Sequence, residues 1–426
     1  MNILVLGGGG REHALVWAIR QNPRCDRIHC APGNAGIAAI AECHDLDICN
    51  GQQVVEFCSR HGINLVIIGP EAPLAAGVAD RLRLADTPVF GPGRDAARLE
   101  TSKAFTKAIC DSAGIPTARY AVFREAELAH TYVRERGVPI VVKDDGLAAG
   151  KGVTVARTLA EARDAIDAIF QLSATSSGVP IGDSDRTAVI EDHLDGVEAS
   201  LFVLADGRDV LPFGTAQDYK RAYDGDLGPN TGGMGAISPA PALTESIVAR
   251  VLDEIIHPTL AELEHRQIRF QGVLYAGLMI CKNGPHLLEY NVRFGDPECQ
   301  ALMIRLGGQA LDAILACANG ELQETGLNWA DDHALTVVMA TKGYPGSFSK
   351  GSVIRDLEDV AQSSRLQVFH AGTTPSPNGT LATGGRVLAV TAREDIASAA
   401  RNSAYRAVRD IDWADGFYRT DIGRQP

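Results

Sequence analysis

The chain has 426 residues, and at about 150 residues per domain this length predicts roughly three domains. Apolar residues make up 45% of it and charged residues 22%, which excludes a disordered or collagen-like protein and allows a sizeable core without disulfide bridges. The formal net charge of −13 argues against a nucleic-acid partner, although a local basic pocket could still hold a small phosphorylated ligand.

The N-terminal segment alternates short apolar strands with helical patterns. Strands are predicted at Ile3–Leu6, Ile28–Ala31, Leu65–Ile68 and Val89–Phe90, with helical stretches near 52–61 and 75–85. Continuous apolar strands separated by helices are typical of a parallel sheet covered on both faces. We therefore predict an α/β fold that begins with a doubly wound parallel-sheet domain at residues 1–101.

Four glycines, Gly7–Gly10, separate the first strand from a helical pattern. The N–H groups of such a turn, with the helix N-terminus behind them, can cradle a phosphate. The dinucleotide fingerprint is not met, because its third glycine position holds Glu12 or His13 and the second strand ends without an acidic residue. The pattern favours an anion site, and a tight turn without a ligand is the alternative.

The middle of the chain changes from alternating to segregated elements. A helix near 98–113 stops at Gly114, and strands near 117–123, 139–143, 153–155 and 187–191 surround a helix near 125–136. Strands and then helices continue to about 320, and the tail has strands near 333–340 and 385–390 and a helix near 395–410. We predict a second region at 102–325 and a small α+β C-terminal domain at 326–426.

Lys143 ends an apolar strand, and a loop of glycines, alanines and Lys151 follows it. A lysine on a rigid strand end can reach an anion, and small residues let the backbone close over phosphates. The spacing differs from that of a P-loop. We favour phosphate binding here over an exposed flexible hairpin.

Period-two alternation over 287–294 places Glu289, Asn291 and Arg293 on one face of a strand, with Leu288 and Tyr290 on the other. A carboxylate and an amide oxygen suit magnesium, which takes few protein ligands, and an arginine can bind a carboxylate in bidentate fashion. The alternative is an ordinary polar strand face.

Two further polar segments are candidate ligand-binding loops. Residues 217–221 precede the glycine-rich segment 228–235, which suits close ligand approach or a flexible loop, and the acidic segment 191–198 could hydrogen-bond a base and a ribose or form a simple turn. His13 and His193 lack a second His or Cys at metal-ligand spacing, and no Ser or Cys nucleophile motif is present.

Together these segments resemble the ATP-grasp superfamily, and within it the glycinamide ribonucleotide synthetase (phosphoribosylamine–glycine ligase) family, over essentially the whole chain. The motifs that carry the resemblance are Gly9-Gly10-Arg11-Glu12-His13-Ala14, Ala31-Pro32-Gly33-Asn34-Ala35-Gly36, Gly69-Pro70-Glu71-Ala72-Pro73-Leu74, Ser102-Lys103-Ala104-Phe105, 145–152, 228–235 and Arg293-Phe294-Gly295-Asp296-Pro297-Glu298. Segment 228–235 and the Pro-Gly-Asn-Ala-Gly motif are the ones most specific to this family.

The resemblance implies an ATP-grasp fold with a mobile lid at about 115–190, and a role for each matching residue. ATP would be held by Lys103, Lys143, Gly150, Lys151, Gly152, Glu191, His193, Leu194 and Glu198, and Mg²⁺ (or Mn²⁺) by Glu289 and Asn291. Glycine and 5-phosphoribosylamine would be bound by Gly8, Gly9, Gly10, Asn34, Gly36, Pro70, Glu71, Asp218, Lys220 and Arg293, of which Asp218, Lys220 and Arg293 are the candidate catalytic residues.

The implied reaction forms glycinamide ribonucleotide, ADP and phosphate through glycyl phosphate, in purine biosynthesis. Another ATP-grasp carboxylate–amine ligase or carboxylase, and a non-catalytic nucleotide-binding protein, are the alternatives. The chain departs from the family pattern at Asp144, which strand alternation should turn away from Lys143, and at Gly8, where the family often has Asn or Ser.

The expected setting is the cytoplasm. The nine cysteines contain no C-x-x-C pair and suit reduced thiols, no apolar run approaches the roughly 18 residues of a membrane span, and no signal peptide is expected because the N-terminus enters a strand directly. We expect small-molecule substrates, no nucleic-acid or membrane partner, and a monomer or weak homodimer.

Overall fold

A computed structural model describes residues 1–147, 152–171, 186–357, 360 and 362–424. The N-terminal part contains a five-stranded parallel sheet of order β3-β2-β1-β4-β5. Its elements are β1 (Asn2–Gly7), α1 (Gly10–Arg20), β2 (Arg27–Pro32), α2 (Ala35–Ala38), β3 (Glu42–Cys43), α3 (Gly51–His61), β4 (Leu65–Ile68), α4 (Glu71–Ala75), α5 (Val78–Leu84), β5 (Val89–Phe90) and α6 (Arg94–Thr101).

Both faces of this sheet are buried, as the continuous apolar strands predict. Leu4 and Leu6 of β1 pack into one core cluster with Val66 of β4. Ile3 and Val5, which point the other way, pack into a second cluster that also receives the inner face of α1. The α/β class and the doubly wound N-terminal sheet are confirmed.

Two predicted helices are each divided in the structure. The stretch near 75–85 is two helices, α4 and α5, because Gly77 between them has a left-handed φ of +80°. The stretch near 98–113 breaks at Ser102, which is extended and whose hydroxyl accepts the N–H of Phe105 to cap the next helix. Lys103 is therefore the first residue of a helix rather than a residue within one.

The second part contains a four-stranded antiparallel sheet of order β6-β9-β7-β8, which we call the lid sheet. Its elements, after the leading helix α7 (Lys103–Ala113), are β6 (Tyr120–Phe123), α8 (Ala126–Arg136), β7 (Ile140–Asp144), β8 (Val153–Ala156), α9 (Leu159–Gln171) and β9 (Ala188–Asp192). The helices pack on one face through Ala129, Val133 and Ile166. The lid sheet lies almost wholly within the segment 115–190 predicted to move.

The third part is a long sheet of order β16-β15-β10-β11-β14-β17-β22-β19, with β23 beside β17. Its first half and the helices after it are β10 (Val197–Ala205), β11 (Val210–Asp218), β12 (Arg221–Tyr223), β13 (Leu227–Asn230), β14 (Gly235–Ser238), α10 (Glu245–Val251), α11 (His257–His265), β15 (Gly272–Cys281), β16 (Gly284–Asn291), α12 (Glu298–Leu306) and α13 (Gln309–Asn319). Strands β12 and β13 form a separate ribbon, and a π-helical turn joins α10 to α11.

The C-terminal elements are β17 (His333–Thr341), β18 (Ser352–Ile354), β19 (Leu366–His370), β20 (Thr373–Ser376), β21 (Gly379–Ala382), β22 (Arg386–Glu394), α14 (Ala397–Asp410) and β23 (Gly416–Phe417). Strand β17 pairs with β14 from Gly235↔Val337 to Ser238↔Ala334. The segment after residue 326 thus extends the sheet that precedes it. Among the described residues no single helix is long and apolar enough to cross a membrane, although α12 and α13, bent by 107° at their junction, pass that test as a pair.

Candidate active site

A cleft of about 950 Å³ lies between the N-terminal part, the lid sheet and the long sheet. Many of the residues predicted for ATP, metal and substrates line it together: Pro70, Glu71, Lys103, Lys143, Gly152, Glu191, His193, Leu194, Glu198, Asp218, Lys220, Glu289, Asn291 and Arg293. Gly150 and Lys151 lie outside the described residues. Gly8, Gly9, Gly10, Asn34 and Gly36 are not among the lining residues and form a separate group beside the cleft.

Lys107, Lys143 and Glu191 form a buried ion-paired group, which we call the lysine centre. The Glu191 carboxylate lies 3.0 Å from Lys107 Nζ and 2.8 Å from Lys143 Nζ, and its side chain is only 2% exposed. Lys143 Nζ also donates to the Leu288 carbonyl at 3.1 Å. Burial lowers the pKa of Lys107, and the Glu191 charge opposes that effect. Two lysines held by one carboxylate give the lysine centre itself a net positive charge.

Helix α7 is tied to the start of the predicted phosphate loop. The Asp145 carboxylate accepts the N–H of Ala104 at 3.1 Å and the hydroxyl of Ser102 at 3.2 Å, and Lys103 Nζ donates to the Gly146 carbonyl at 3.0 Å. An acid at a helix N-terminus is favoured by the helix dipole. Movement of the loop and the first turn of α7 is therefore coupled.

Asp144 turns away from Lys143, as strand alternation predicts. It pairs with Arg186 at 3.5 Å, while Lys143 pairs with Glu191. The other oxygen of Asp144 is buried and has no hydrogen-bond partner among the residues that the structure describes. The departure at this position therefore places no carboxylate against the lysine centre.

Strand β16 carries the predicted metal ligands, and one detail of its prediction is wrong. Glu289 pairs with Gly277 while Leu287 pairs with Leu278, so Leu288 is an extra, bulged residue. Leu288 leaves the buried face that Tyr290 occupies, and its carbonyl instead meets Lys143. Alternation over 287–294 could not reveal this, since a bulge depends on the partner strand.

Arg293 lies directly after β16 between two carboxylates. Its guanidinium is 2.8 Å from Glu100 and 3.4 Å from Glu71, and it donates to the Asn291 amide oxygen at 3.2 Å. Burial alone would raise the pKa of Glu71, but the Arg293 charge, a backbone hydrogen bond and the Arg11 charge together outweigh it, and the pKa lies below its usual range. The pKa of the more deeply buried Glu100 is raised by burial, against the attraction of Arg293. Arg293 is thus fixed from both sides while still lining the cleft.

Asp218 and Lys220 face the cleft from the end of β11. Lys220 Nζ is 2.9 Å from Glu198 and 4.0 Å from Asp218. Burial raises the pKa of Asp218 to about 7, with the Glu298 and Glu198 charges adding to it and Lys220 opposing it. Glu298 itself is buried and accepts a hydrogen bond from the Tyr275 hydroxyl at 2.8 Å. This end of the cleft is crowded with carboxylates, which suits a substrate bearing an amine.

The glycine loop, Gly7–Gly10, packs closely against the segment after β2. A Cβ on Gly8 would lie 2.4 Å from the Gly33 carbonyl oxygen, and Asn34 Nδ2 donates to the Gly8 carbonyl at 2.9 Å. The Asn34 side chain also accepts the N–H groups of Gly36 and Ile37, which caps α2. Gly8 therefore permits a close approach of two backbones.

Glu12 explains why this loop departs from the dinucleotide fingerprint. Its carboxylate folds back to accept the N–H of Gly9 at 2.6 Å and pairs with Arg11 at 2.6 Å. One N–H of the loop is therefore already occupied. The loop meets the cleft at Asp296, since Cβ atoms on Gly9 and Gly10 would lie 3.4 Å and 3.6 Å from its carboxylate oxygens.

The C-terminal part of the chain also contacts the residues beside the glycine loop. The His370 N–H donates to His13 Nδ1 at 2.8 Å, and the Asn34 side chain donates to the His370 carbonyl at 2.7 Å. Burial lowers the pKa of His13 to about 3 and that of His370 to about 4, so both rings are neutral at physiological pH. A Cβ on Gly36 would lie 2.3 Å from the His13 ring.

Several residues of the site escaped the sequence analysis. Lys107 is buried on α7. The sequence feature that could have revealed it is the position of a lysine among the apolar residues Phe105, Ile109 and Cys110. Arg386 at the start of β22 pairs with Asp296 at 3.3 Å and donates to the Gly232 carbonyl at 2.6 Å. Glu100 and Tyr275 carried no signal, because their roles arise from contacts with distant segments.

Comparison with known proteins gives three successive family matches. Residues 1–100 match "Phosphoribosylglycinamide synthetase, N domain", residues 101–299 match its "ATP-grasp (A) domain" and residues 334–425 match its "C domain". The phosphoribosylamine–glycine ligase of Rhizobium meliloti (strain 1021) is 52% identical over 99% of this chain and 98% of that protein. The chloroplastic phosphoribosylamine–glycine ligase of Arabidopsis thaliana is 50% identical over 97% of this chain and 78% of that protein.

Solved structures show the same likeness. The phosphoribosylamine–glycine ligase from Thermotoga maritima superposes with a TM-score of 0.83 at 30% identity, covering 99% of this chain and 100% of that one. The biotin carboxylase domain of a 2-oxoglutarate carboxylase from Hydrogenobacter thermophilus, in complex with ADP magnesium salt and bicarbonate, superposes with a TM-score of 0.73 at 15% identity, covering 98% and 91%. The second likeness is one of fold alone.

Proposed function

The chain belongs to the phosphoribosylglycinamide synthetase family, and from this premise we propose how its cleft carries out the reaction. It is an ATP-dependent ligase, phosphoribosylamine–glycine ligase in type, which forms glycinamide ribonucleotide in purine biosynthesis. The observation that carries the residue assignments is the convergence of the lysine centre, Glu289, Asn291 and Arg293 on one cleft.

ATP is proposed to lie between the lid sheet and the long sheet, with its phosphates at Lys103 and the lysine centre. Both oxygens of Glu191 already face lysines, so we assign Glu191 to holding those lysines rather than to a ribose. His193, Leu194 and Glu198, at the rim of the cleft, are left for adenine and ribose. Gly150, Lys151 and Gly152 belong to the loop proposed to close over the phosphates.

An ATP-grasp enzyme uses a divalent metal with its nucleotide, and we propose Mg²⁺ (or Mn²⁺) at Glu289 and Asn291. The residues fit such an ion, because two hard oxygen donors face the cleft from one strand. Among the described residues none forms a hydrogen bond or ion pair with the Glu289 carboxylate, which leaves it available. When bound, the metal would neutralise part of the negative charge of the ATP phosphates.

The proposed reaction has two steps. The glycine carboxylate attacks the γ-phosphorus of ATP, which forms glycyl phosphate and releases ADP. The amine of phosphoribosylamine then attacks the carbonyl carbon of glycyl phosphate. Phosphate leaves and the amine loses a proton as the amide forms. Arg293, held by Glu100 and Glu71, orients the glycine carboxylate, and Asp218 with Lys220 orients the amine-bearing groups. Closure of the lid sheet excludes water from the acyl phosphate.

The 5-phosphate of phosphoribosylamine is proposed to bind at the glycine loop, with Asn34, Gly36, Pro70 and Glu71 shaping the site around the sugar. Support comes from the close backbone packing at Gly8 and from the contact between the loop and the cleft at Asp296. The proposed setting is cytoplasmic, with a monomer or weak homodimer as the working assembly.

The test is phosphate release from ATP and Mg²⁺, with glycine and freshly made phosphoribosylamine omitted one at a time. We expect strong release only when both are present, with glycinamide ribonucleotide detected by mass. Release without glycine would contradict the assignment of the first step, and release with both substrates but no new amide would contradict the second.

A further inference from the structure

A cluster of histidines lies on the N-terminal domain away from the cleft. His29 on β2, Glu42 on β3 and His44 just after β3 each offer one ligand atom, and these three atoms lie within 4.8 Å of one another. None of the three residues lines the active-site cleft. Nothing in the proposed ligase reaction uses them.

The two separations from His29 Nδ1 are close to the edges of a metal coordination shell. His29 Nδ1 lies 3.0 Å from His44 Nε2 and 3.6 Å from Glu42 Oε2. Zinc–nitrogen and zinc–oxygen bonds of about 2.0–2.2 Å in a tetrahedron place neighbouring ligand atoms about 3.3–3.6 Å apart. The same nitrogen of His29 faces both partners, and one proton can bridge it to only one of them. A cation between the three atoms would bind all of them at once.

The surroundings suit a cation site of this size. His29 is 2% exposed, while His44 is half-buried and Glu42 is exposed, which leaves one side open for entry. A cavity of about 340 Å³, lined by His44, Phe57 and His61, opens beside the cluster and has room for a water as fourth ligand.

We propose that His29, Glu42 and His44 form a binding site for a divalent transition metal, Zn²⁺, which fastens the edge strand β3 to β2. Strand β3 has two residues, both exposed, and pairs with β2 at His29↔Glu42 and Cys30↔Cys43. Two ligands come from β3 or its end and one from β2, so the metal would cross-link the two strands. The mixed nitrogen and oxygen donors favour zinc over magnesium or calcium.

The test is titration of the full chain with Zn²⁺ by calorimetry, in excess Mg²⁺ so that the proposed magnesium site of the cleft is occupied. We expect one Zn²⁺ per chain for the wild type, and at least about tenfold weaker binding for both His44→Ala and Glu42→Gln, because even outer-shell changes typically cost 10- to 100-fold. At one fixed concentration, Zn²⁺ should also raise the melting temperature of the wild type by more than that of either variant.

Two matched controls separate this site from surface binding. His265→Ala removes another exposed histidine, which lies 3.7 Å from Glu262, and Cys43→Ser removes the thiol between the two β3 ligands; both should bind Zn²⁺ like the wild type. Glu42→Gln changes only an exposed side chain and keeps the test sharp if His44→Ala fails to fold. No saturable binding by the wild type, or equal binding by Glu42→Gln, would overturn the proposal without touching the ligase assignment.

Discussion

At the lysine centre, Lys107, Lys143 and Glu191 are buried charges that bind one another. In the glycine loop, by contrast, Gly8 lies against a backbone carbonyl, and Gly36 of the adjacent α2 lies against a neutral histidine ring. Both regions are proposed to hold phosphate. The first supplies full positive charges that a carboxylate keeps in place, and the second supplies backbone donors and a close fit. A substitution that changes side-chain charge should therefore impair the lysine centre, and one that changes side-chain volume should impair the glycine loop.

The largest effect on activity is expected at β16, the strand beside the lysine centre that carries the proposed metal ligands. Glu289→Ala should lower kcat about a thousandfold while preserving the fold, because it removes a metal-binding charge where phosphate charge develops. Steady-state kinetics with circular dichroism would measure both. Glu264→Ala, at an exposed position of α11, is the control that should behave like the wild type. Wild-type activity in Glu289→Ala would remove the metal assignment.

Lys107→Met tests whether the lysine centre depends on mutual pairing. It should lower the free energy of unfolding by about 3 kcal/mol, because Glu191 is left buried with one partner fewer. Lys103→Met is the matched comparison: among the described residues the Lys103 ammonium donates a hydrogen bond only to the Gly146 carbonyl, so its loss should cost less than about 1 kcal/mol while still raising KM for ATP. Urea unfolding of both variants measures the two changes in the free energy of unfolding. Equal destabilisation would mean that the pairing with Glu191 carries no special weight.

Gly8→Ala tests the glycine loop by volume alone. The added Cβ would lie 2.4 Å from the Gly33 carbonyl, so the loop must shift, and KM for phosphoribosylamine should rise about tenfold or more. KM for ATP should stay near the wild-type value, because the lysine centre is built from other segments. Gly326→Ala, whose Cβ would meet nothing within 4 Å, is the control. A rise in KM for ATP alone would reverse the assignment of the two regions.

The smallest effect is a pH dependence at Asp218. A carboxyl group with its pKa raised to about 7 loses its negative charge as the pH falls through 7, so kcat/KM for glycine should fall about tenfold from about pH 8 to about pH 6. Asp218→Asn should be less active and should lack this acidic limb. The pH profile of kcat/KM measures it, and an unchanged limb in the variant would assign the titration to another group.

Much of the architecture follows from local pattern. Strands β4 and β5 begin and end where the apolar runs do, and the parallel sheet follows from apolar strands alternating with helices. The helix breaks at Gly77 and Ser102 were missed, although glycine and serine are ordinary signals for an interruption and a cap.

The sequence by itself determined the family, the α/β fold and most of the residues that meet in the cleft, because strand period and glycine-rich loops are local properties. Only the tertiary structure decided which charges pair. Glu100 and Arg293 are far apart in the chain but 2.8 Å apart in space, and Glu191, which was expected to help hold adenine and ribose, pairs with two lysines. Likewise the bulge at Leu288 and the joining of β14 to β17 depend on a neighbouring strand, which no local pattern encodes.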